Sequence, residues 1–263
     1  MKPLKNFVKT LLRVDARTGV TPLNNMTFVG SKPHGYWIPA NFLDQNSICY
    51  CVGAGDDISF DTELKVLYDS KIFIFDPTPA SKLHFNTIKE ISRQNQMMPS
   101  VSQDDTFTYR ISFKQMEDLH FISVGVWSEK TVLKFFDPGI ENYVSHSAYL
   151  FKDSKNTAEF PVDTLKNFMS TFHHSTIDIL KLEIEGAEYE VLDNLIRDRL
   201  DIKVILVEFD EIFHKKGISH FFRIKKYYKR LKKAGYVLVH STEMFKRTFI
   251  RKDVYGALKA KDN

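Results

Sequence analysis

A chain of 263 residues, with 43% hydrophobic and 27% charged residues, is long enough for one large domain or two small ones. The high apolar content and a net charge of only +4 exclude global disorder. No stretch approaches the roughly 20 consecutive apolar residues of a membrane-spanning helix. The two cysteines, Cys49 and Cys51, form no disulfide framework. Because the N-terminus also lacks the features of a secretory signal, we expect a cytoplasmic protein.

The N-terminal part of the chain is predicted to contain an amphipathic basic helix over residues 2–13. Such a helix can contact a membrane surface peripherally, although docking on its own domain is the simpler expectation. Residues 30–46 follow, and we expect them to shape an acceptor pocket together with the loop 138–160. Without repeats, low-complexity runs or linkers, the chain is predicted to be a single domain over 1–263. Its parts are an N-terminal helix and acceptor-side segment (1–46) and a core (47–252).

From residue 47 onward, strand and helix signals alternate along the chain. The expected strands are 47–52, 71–76, 121–127, 177–184 and 204–209. The expected helices are 57–69, 81–94, 163–172, 187–197 and 220–233. Two hairpins are expected, one with 131–136 as an arm and a polar loop through 145–147, and one joining 236–240 to 247–251 at the sheet edge. Apolar strands alternating with helices predict an α/β, doubly wound fold with a mostly parallel sheet.

Positive charge is concentrated near the C-terminus, where residues 201–263 hold 16 Lys and Arg against 7 Asp and Glu. Within the predicted helix, Ile224, Tyr227, Tyr228 and Leu231 form one apolar stripe with basic residues around it. This pattern is typical of a packed helix with a solvated basic face. An anionic partner at that face is the alternative, and we expect no nucleic acid as the partner.

A glycine loop follows the first strand of the core. Gly53, Ala54 and Gly55 let a ligand approach the backbone closely. Asp76 ends the next strand, 23 residues after Gly53, where a carboxylate can accept hydrogen bonds from ribose hydroxyls. Together they predict a nucleoside site, with a simple turn acid as the structural alternative for Asp76.

The residues after the loop distinguish between nucleosides. Asp56 and Asp57 stand where a dinucleotide pyrophosphate would lie, and Ile58 replaces the third glycine of GxGxxG. S-adenosylmethionine has no phosphate, and its ammonium and sulfonium groups are compatible with nearby acids. The loop therefore favours S-adenosylmethionine as cofactor, and a dinucleotide-dependent oxidoreductase is the less favoured alternative.

One predicted central strand carries charges on a single face. Lys181, Glu183 and Glu185 alternate with apolar residues, although a central parallel strand is usually apolar on both faces. Because an unpaired buried charge costs several kcal/mol, these residues must pair with each other, reach a cleft, or both. A purely structural Lys181–Glu183 ion pair is the alternative to a catalytic role. Glu208, at the end of the following strand, adds an acid to the same edge.

The segment 181–192, Lys-Leu-Glu-Ile-Glu-Gly-Ala-Glu-Tyr-Glu-Val-Leu, resembles the signature of the FkbM-type S-adenosylmethionine-dependent methyltransferases. Further segments match that family in order and spacing, so the resemblance covers about residues 35–250. These segments are 52–60, 75–79, 124–127, 131–136 and 207–209. The family pattern usually has Asp where Glu183 stands, and the longer side chain moves the carboxylate by about one methylene.

The resemblance implies a Rossmann-like class I methyltransferase fold, whose mostly parallel central sheet has an antiparallel edge and a small hairpin insertion. It implies contacts to the methionyl part of the donor from Gly53, Ala54, Gly55 and Asp57. It also implies that Asp76 holds the ribose and that Gly125 and Val126 lie near the adenine.

The predicted activity is methylation of a hydroxyl on a small-molecule or glycan acceptor, a sugar or natural product. An alcohol must lose a proton during transfer, so a positioned base is useful. Glu183 and Glu185 are the first candidates and Glu208 the next, and no metal site is predicted. Tyr36, Trp37 and Tyr149 are candidates for stacking on a sugar ring, with core or lid packing as the alternative. The competing hypothesis is a non-catalytic nucleoside-fold protein that binds an anionic partner through its basic C-terminal helix.

Overall fold

The computed structural model describes residues 19–99, 107–136, 157–184, 186–209, 219–242 and 246–261. Some sequence predictions fall wholly or mostly outside these ranges: the helix at 2–13, the acceptor-side loop 138–160 with its polar part 145–147 and Tyr149, and the position of Glu185. The strands are β1 Met26–Val29, β2 Tyr36–Pro39, β3 Ile48–Val52, β4 Lys71–Phe75, β5 Met98–Pro99, β6 Thr108–Tyr109, β7 His120–Ile122, β8 Gly125–Val126, β9 Thr131–Phe136, β10 Thr157–Asp163, β11 Ile177–Leu182, β12 Ile202–Glu208, β13 Tyr236–Ser241 and β14 Lys246–Arg251. The helices are α1 Ser59–Tyr68, α2 Pro79–Arg93, α3 Phe113–Glu117, α4 Leu165–Thr171, α5 Glu188–Arg197, α6 Ser219–Lys233 and α7 Lys252–Lys261.

Seven strands form the central sheet, in the order β13-β14-β12-β11-β3-β4-β7. Six of these strands run in one direction, and β14 runs antiparallel to both of its neighbours, β12 and β13. Strand order reverses between β3 and β11, because the chain adds β4 and β7 on one side of β3 and the later strands on the other. In open α/β sheets, ligands bind beyond the carboxyl ends of the strands at such a switch point. The predicted doubly wound fold, its parallel sheet and its antiparallel edge are confirmed.

The core has two layers, one on each face of this sheet. On β3, Tyr50 and Val52 point into one hydrophobic cluster, while Cys49 and Cys51 point into the other, and all four are fully buried. Both cysteines are free, and they fill the core on one face of the strand. The helices α2, α3 and α4 begin at side-chain caps; at α2, Thr78 accepts a hydrogen bond from the Ser81 amide.

The structure divides one predicted strand, contains the predicted hairpin insertion, and has further elements that the sequence patterns do not predict. The expected strand 121–127 is two short strands, because a bend after Ile122 takes β8 out of the central sheet to pair with β10. The antiparallel pair β9–β10 is the predicted hairpin insertion. The sequence patterns predict neither the antiparallel pair β1–β2 nor the helix α7.

Candidate active site

The glycine loop lies at the switch point and is joined to β11 by its backbone. The Gly53 amide donates to the Phe75 carbonyl at 3.0 Å, and the Glu183 amide donates to the Val52 carbonyl at 3.0 Å. Gly53 has a φ of +88°, and a Cβ at this position would lie 1.8 Å from the Glu183 carbonyl oxygen. Only glycine therefore allows the loop to approach the end of β11 so closely.

Asp76 organises this loop through both oxygens of its buried carboxylate. Oδ2 accepts hydrogen bonds from the amides of Ala54 (2.9 Å) and Gly55 (3.2 Å). Oδ1 accepts from the amide (2.9 Å) and the hydroxyl (2.6 Å) of Thr78. These four bonds occupy the approximately four acceptor positions of a carboxylate. Asp76 therefore stabilises the turn, which is the alternative role that the sequence predicts for it. Ribose binding would require Asp76 to exchange at least one of these hydrogen bonds.

Gly55 and Asp57 occupy different environments in the same loop. Gly55 has a φ of +52°, and a Cβ there would have no atom within 4 Å, so its exposed face borders open space. The Asp57 carboxylate is buried, where it accepts from the Ser59 amide at 2.7 Å and the Ser31 hydroxyl at 3.1 Å. Gly55 is thus open to a ligand, whereas Asp57 fixes the start of α1 against the β1–β2 turn.

Gly125 and Val126 lie beside the turn that follows Asp76. A Cβ on Gly125 would meet the Val162 side chain at 3.0 Å and the Pro77 ring at 3.3 Å. The Gly125 backbone is therefore packed against the residue next to Asp76, and its contact with adenine stays a prediction. The Val126 side chain is buried in a core cluster, so any ligand contact at this residue falls to its backbone.

A buried row of alternating charges crosses the carboxyl edge of the sheet. We call it the ion chain, and it consists of Asp61, Lys181, Glu183, Lys246 and Glu208. The Lys181 ammonium lies 3.5 Å from an Asp61 oxygen and 3.0 Å from a Glu183 oxygen. The Lys181–Glu183 ion pair is therefore real, and Lys181 and Asp61 are both fully buried. The predicted pairing of the charges on this strand face is confirmed for these two residues.

Lys246 continues the ion chain from the first residue of the antiparallel strand β14. Its ammonium contacts Glu183 Oε1 and lies 3.2 Å from Glu208 Oε2. It also lies 4.5 Å from the centre of the Tyr36 ring, a cation–π distance. Tyr36 is 2% exposed and packs edge-on against Phe60. It is therefore a core residue, and its ring is not accessible for stacking on a sugar.

Comparison with known proteins identifies the family. The sequence model of the methyltransferase FkbM domain matches residues 43–238, about three quarters of the chain. The chain belongs to the FkbM methyltransferase family. The expected S-adenosylmethionine cofactor is confirmed with it. No curated protein sequence matches significantly.

Two solved structures of archaeal fibrillarins resemble this methyltransferase distantly, each at 11% identity. The Methanococcus jannaschii pre-rRNA processing protein has a TM-score of 0.41, with 80% of this chain and 68% of that chain covered. The Aeropyrum pernix protein, solved with natively bound S-adenosyl-L-methionine, has a TM-score of 0.38, with 81% and 68% covered. Similarity at this level adds nothing to the inference from the family and the strand order.

The two acids around Lys246 have pKa values shifted in opposite directions. Burial raises the pKa of Glu208 to about 8, and the negative charge of Glu183 adds to this, against the opposing effect of Lys246. Burial also acts to raise the pKa of Glu183, but Lys181 and Lys246 outweigh it and hold that pKa well below its usual range. Divergent pKa values in neighbouring titratable groups are typical of acid–base sites in enzymes.

Lys181, between Asp61 and Glu183 in the ion chain, stays charged. Burial alone would lower the pKa of Lys181, but Asp61 and Glu183 reverse this and raise it above its usual value. Asp61, by contrast, has its pKa raised by burial despite the opposing charge of Lys181. The ion chain thus places a permanent cation beside Glu183, and it contains Glu208, whose pKa of about 8 is close to neutral pH.

Sequence reasoning missed three of the residues that define this site. The sequence pattern predicts Asp61 only as part of a helix, and Lys246 falls one residue before the predicted edge strand. His34, in the turn before β2, lies close enough to lower the pKa of Glu183. The antiparallel direction of β14 was the available signal, because it brings the start of that strand to the carboxyl edge of its parallel neighbours. Glu185 lies outside the described residues, so its catalytic role stays a prediction.

The chemistry of the site is compatible with the methyl donor. The open face of Gly55 lies beside Asp76, and acids line the same edge, which suits a cationic ligand without phosphates. Among the described residues, no group of three or more His, Cys, Asp or Glu side chains is arranged to hold a metal ion. Within the same parts of the chain, no helix is long and apolar enough to cross a bilayer.

Proposed function

We propose that the protein transfers a methyl group from S-adenosylmethionine to a hydroxyl of a small-molecule or glycan acceptor, a sugar or natural product. The observation that carries this proposal is the Glu183–Glu208 pair, two carboxylates on one lysine with pKa values shifted apart. An alcohol nucleophile needs a group that accepts its proton, and the most effective base has a pKa near the working pH.

The donor would be held by the glycine loop and the residues that follow β4. Gly53, Ala54 and Gly55 present backbone to its methionyl part, together with Asp57 at the start of α1. Asp76 takes a ribose hydroxyl in exchange for one of its four present hydrogen bonds. Gly125 and Val126 border the adenine. When bound, the donor supplies an activated methyl group on a sulfonium that leaves as a neutral thioether.

Glu208 is the proposed base, with Glu183 and Glu185 as the further candidates. Its carboxylate lies at the end of β12 and is only 13% exposed, so it can accept a proton away from bulk water. Glu183 is the weaker base, because two ammonium groups contact it and hold its carboxylate ionised. Its role is to fix Lys246 and to raise the pKa of Glu208. The chain's own contribution is otherwise to hold the acceptor hydroxyl at attack distance.

The proposed activity is tested with methyl-labelled S-adenosylmethionine and a panel of hydroxylated sugars and natural products, beside a matched panel of amines. We expect label in the hydroxylated panel, and at least a hundredfold lower rate in Glu208→Gln, which keeps the shape but cannot accept a proton. Glu117→Gln, at an exposed acid on α3, is the control and keeps the wild-type rate. Transfer to amines alone would refute O-methylation, and an unchanged rate in Glu208→Gln would refute the assigned base.

The ribose assignment needs a test on the ligand rather than on Asp76. Because Asp76 also holds the glycine loop, Asp76→Ala would weaken binding whether or not the carboxylate touches ribose. S-adenosylhomocysteine analogues lacking the 2′- or the 3′-hydroxyl leave the protein intact. We expect at least one of them to bind about tenfold more weakly than S-adenosylhomocysteine itself. Equal affinity of all three ligands would contradict a ribose contact at Asp76.

A further inference from the structure

A cavity lies at the opposite end of the central sheet from β7, away from the strand ends that form the active site. It has a volume of about 320 Å³ and is bounded by α6, β13, β14, the start of α7 and residues 19–21. This size is at the lower end of the range for small-molecule sites. Its wall is mainly apolar and aromatic, with Tyr228, Tyr236, Val237, Leu238, Phe249 and Tyr255.

Three lysines surround this apolar cavity: Lys229 and Lys232 from α6, and Lys252 from α7. Within the described parts of the chain, none of their ammonium groups lies in an ion pair, although Arg230 and Arg251 beside them do. All three lysines are exposed. An apolar interior with an uncompensated basic rim is complementary to a ligand that has an apolar chain and an anionic head.

The outer face of α6 extends the same chemistry. A shallow groove joins the cavity at Lys229 and is lined by further basic residues and by Phe222, whose side chain is 52% exposed. Lys226, Lys229 and Lys233 follow Phe222 at positions four, seven and eleven, so they share one helix face. Basic residues with an exposed aromatic side chain on one face are typical of helices that lie on anionic membranes.

From this arrangement we infer that the protein docks on bilayers containing anionic phospholipids. The lysines of α6 and α7 contact the phosphate groups, Phe222 enters the interface, and the cavity receives part of an acyl chain. A nucleic acid would match the basic face but would leave the apolar cavity unfilled. The basic residues at the rim are lysines, which act on an anionic surface as point charges rather than as bidentate readers. Membrane docking is independent of the methyl-transfer proposal.

The test is sedimentation of the full-length protein with vesicles of phosphatidylcholine alone or with 30% phosphatidylserine. We expect binding only to the anionic vesicles, with at least tenfold weaker binding in Lys229→Glu/Lys232→Glu. The control Lys114→Glu/Lys166→Glu has the same net charge and changes exposed lysines on α3 and α4, so it keeps wild-type binding. No binding to anionic vesicles, or equal losses in both double variants, would overturn the proposal.

The role of the cavity is tested with pairs of variants in which test and control make the same change in charge. Val237→Gln makes the wall polar, and Val132→Gln is the control at an exposed valine on β9. We expect severalfold weaker vesicle binding for Val237→Gln only. Thr21→Asp at the exposed cavity mouth, with Thr87→Asp on α2 as its control, gives a second comparison that disturbs no buried side chain.

Two competing ligands are distinguished in the same material. Full binding of all cavity variants would overturn the acyl-chain assignment. Binding of a single-stranded RNA in preference to anionic vesicles would overturn the membrane partner. S-adenosylhomocysteine affinity should be unchanged in every variant of the cavity and its rim, and a parallel loss of it would show that the variants disturb the fold rather than a docking surface.

Discussion

Replacing Lys246 by methionine removes the cation between Glu183 and Glu208 while keeping a side chain of similar length. Lys246 is 4% exposed, so the two carboxylates would lose their shared partner in a place that water barely reaches. Removing one member of a buried ion pair typically costs 3–5 kcal/mol. Glu183 keeps Lys181, and Glu208 is largely protonated at neutral pH, so we expect the lower end, about 3 kcal/mol.

Urea unfolding at pH 7 measures this loss directly, and thermal unfolding should show a decrease in Tm of about 6 to 12 °C for a chain of this size. Because Lys246 lowers the pKa of Glu208, its loss should also move the rise of methyl transfer with pH upward by at least about one unit. Lys252→Met, an exposed lysine directly after β14, is the matched control and should change stability by less than about 0.5 kcal/mol. A loss below 1 kcal/mol in Lys246→Met, or an unchanged pH profile, would refute the ion chain as described.

Three further changes test separate parts of the site. Gly53→Ala should cost several kcal/mol in urea unfolding because its Cβ would overlap the Glu183 carbonyl, whereas Gly55→Ala, with open space but a positive φ, should cost only about 1–2 kcal/mol. Lys181→Met leaves Asp61 buried without its cation, so we expect a loss of about 3–5 kcal/mol at pH 7. Glu208 has a folded pKa of about 8 against 4.5 in the unfolded chain, so it lowers stability as pH rises between about 5 and 8, by at most about 1.4 kcal/mol per unit. Glu208→Gln should remove that slope, and an identical slope would contradict the raised pKa.

The central sheet could be predicted from the sequence because its strands carry strong local signals. Runs such as β4 and β12 are apolar on both faces, which is typical of buried parallel strands. The bend that separates β7 from β8 could not be predicted, because Ser123 and Val124 are compatible with a continuous strand. The short strands β1 and β2 are stabilised by pairing and by core contacts of Tyr36 rather than by a local pattern.

The site was predictable where it depends on residues close in sequence. The glycine loop, Asp76 and the Lys181–Glu183 alternation each lie at one strand end, and parallel strands bring those ends to one edge. The position of Lys246 in the site depends on the direction of the last strand, and that of Asp61 on the orientation of α1 about its axis. Both positions are therefore set by tertiary structure rather than by the local sequence. The order of the candidate bases also changed, because burial and neighbouring lysines, rather than sequence position, set the pKa values of Glu183 and Glu208.

Calorimetric titration with S-adenosylhomocysteine, and separately with NAD, tests most directly whether the switch-point loop holds the methyl donor. The variants are Gly55→Asn and the matched control Gly235→Asn. Both glycines have positive φ values and open space around a Cβ, and asparagine tolerates that conformation. We predict S-adenosylhomocysteine binding to the wild type and Gly235→Asn, at least tenfold weaker binding to Gly55→Asn, and no NAD binding. Binding of NAD alone, or equal S-adenosylhomocysteine affinity in all three proteins, would contradict the account.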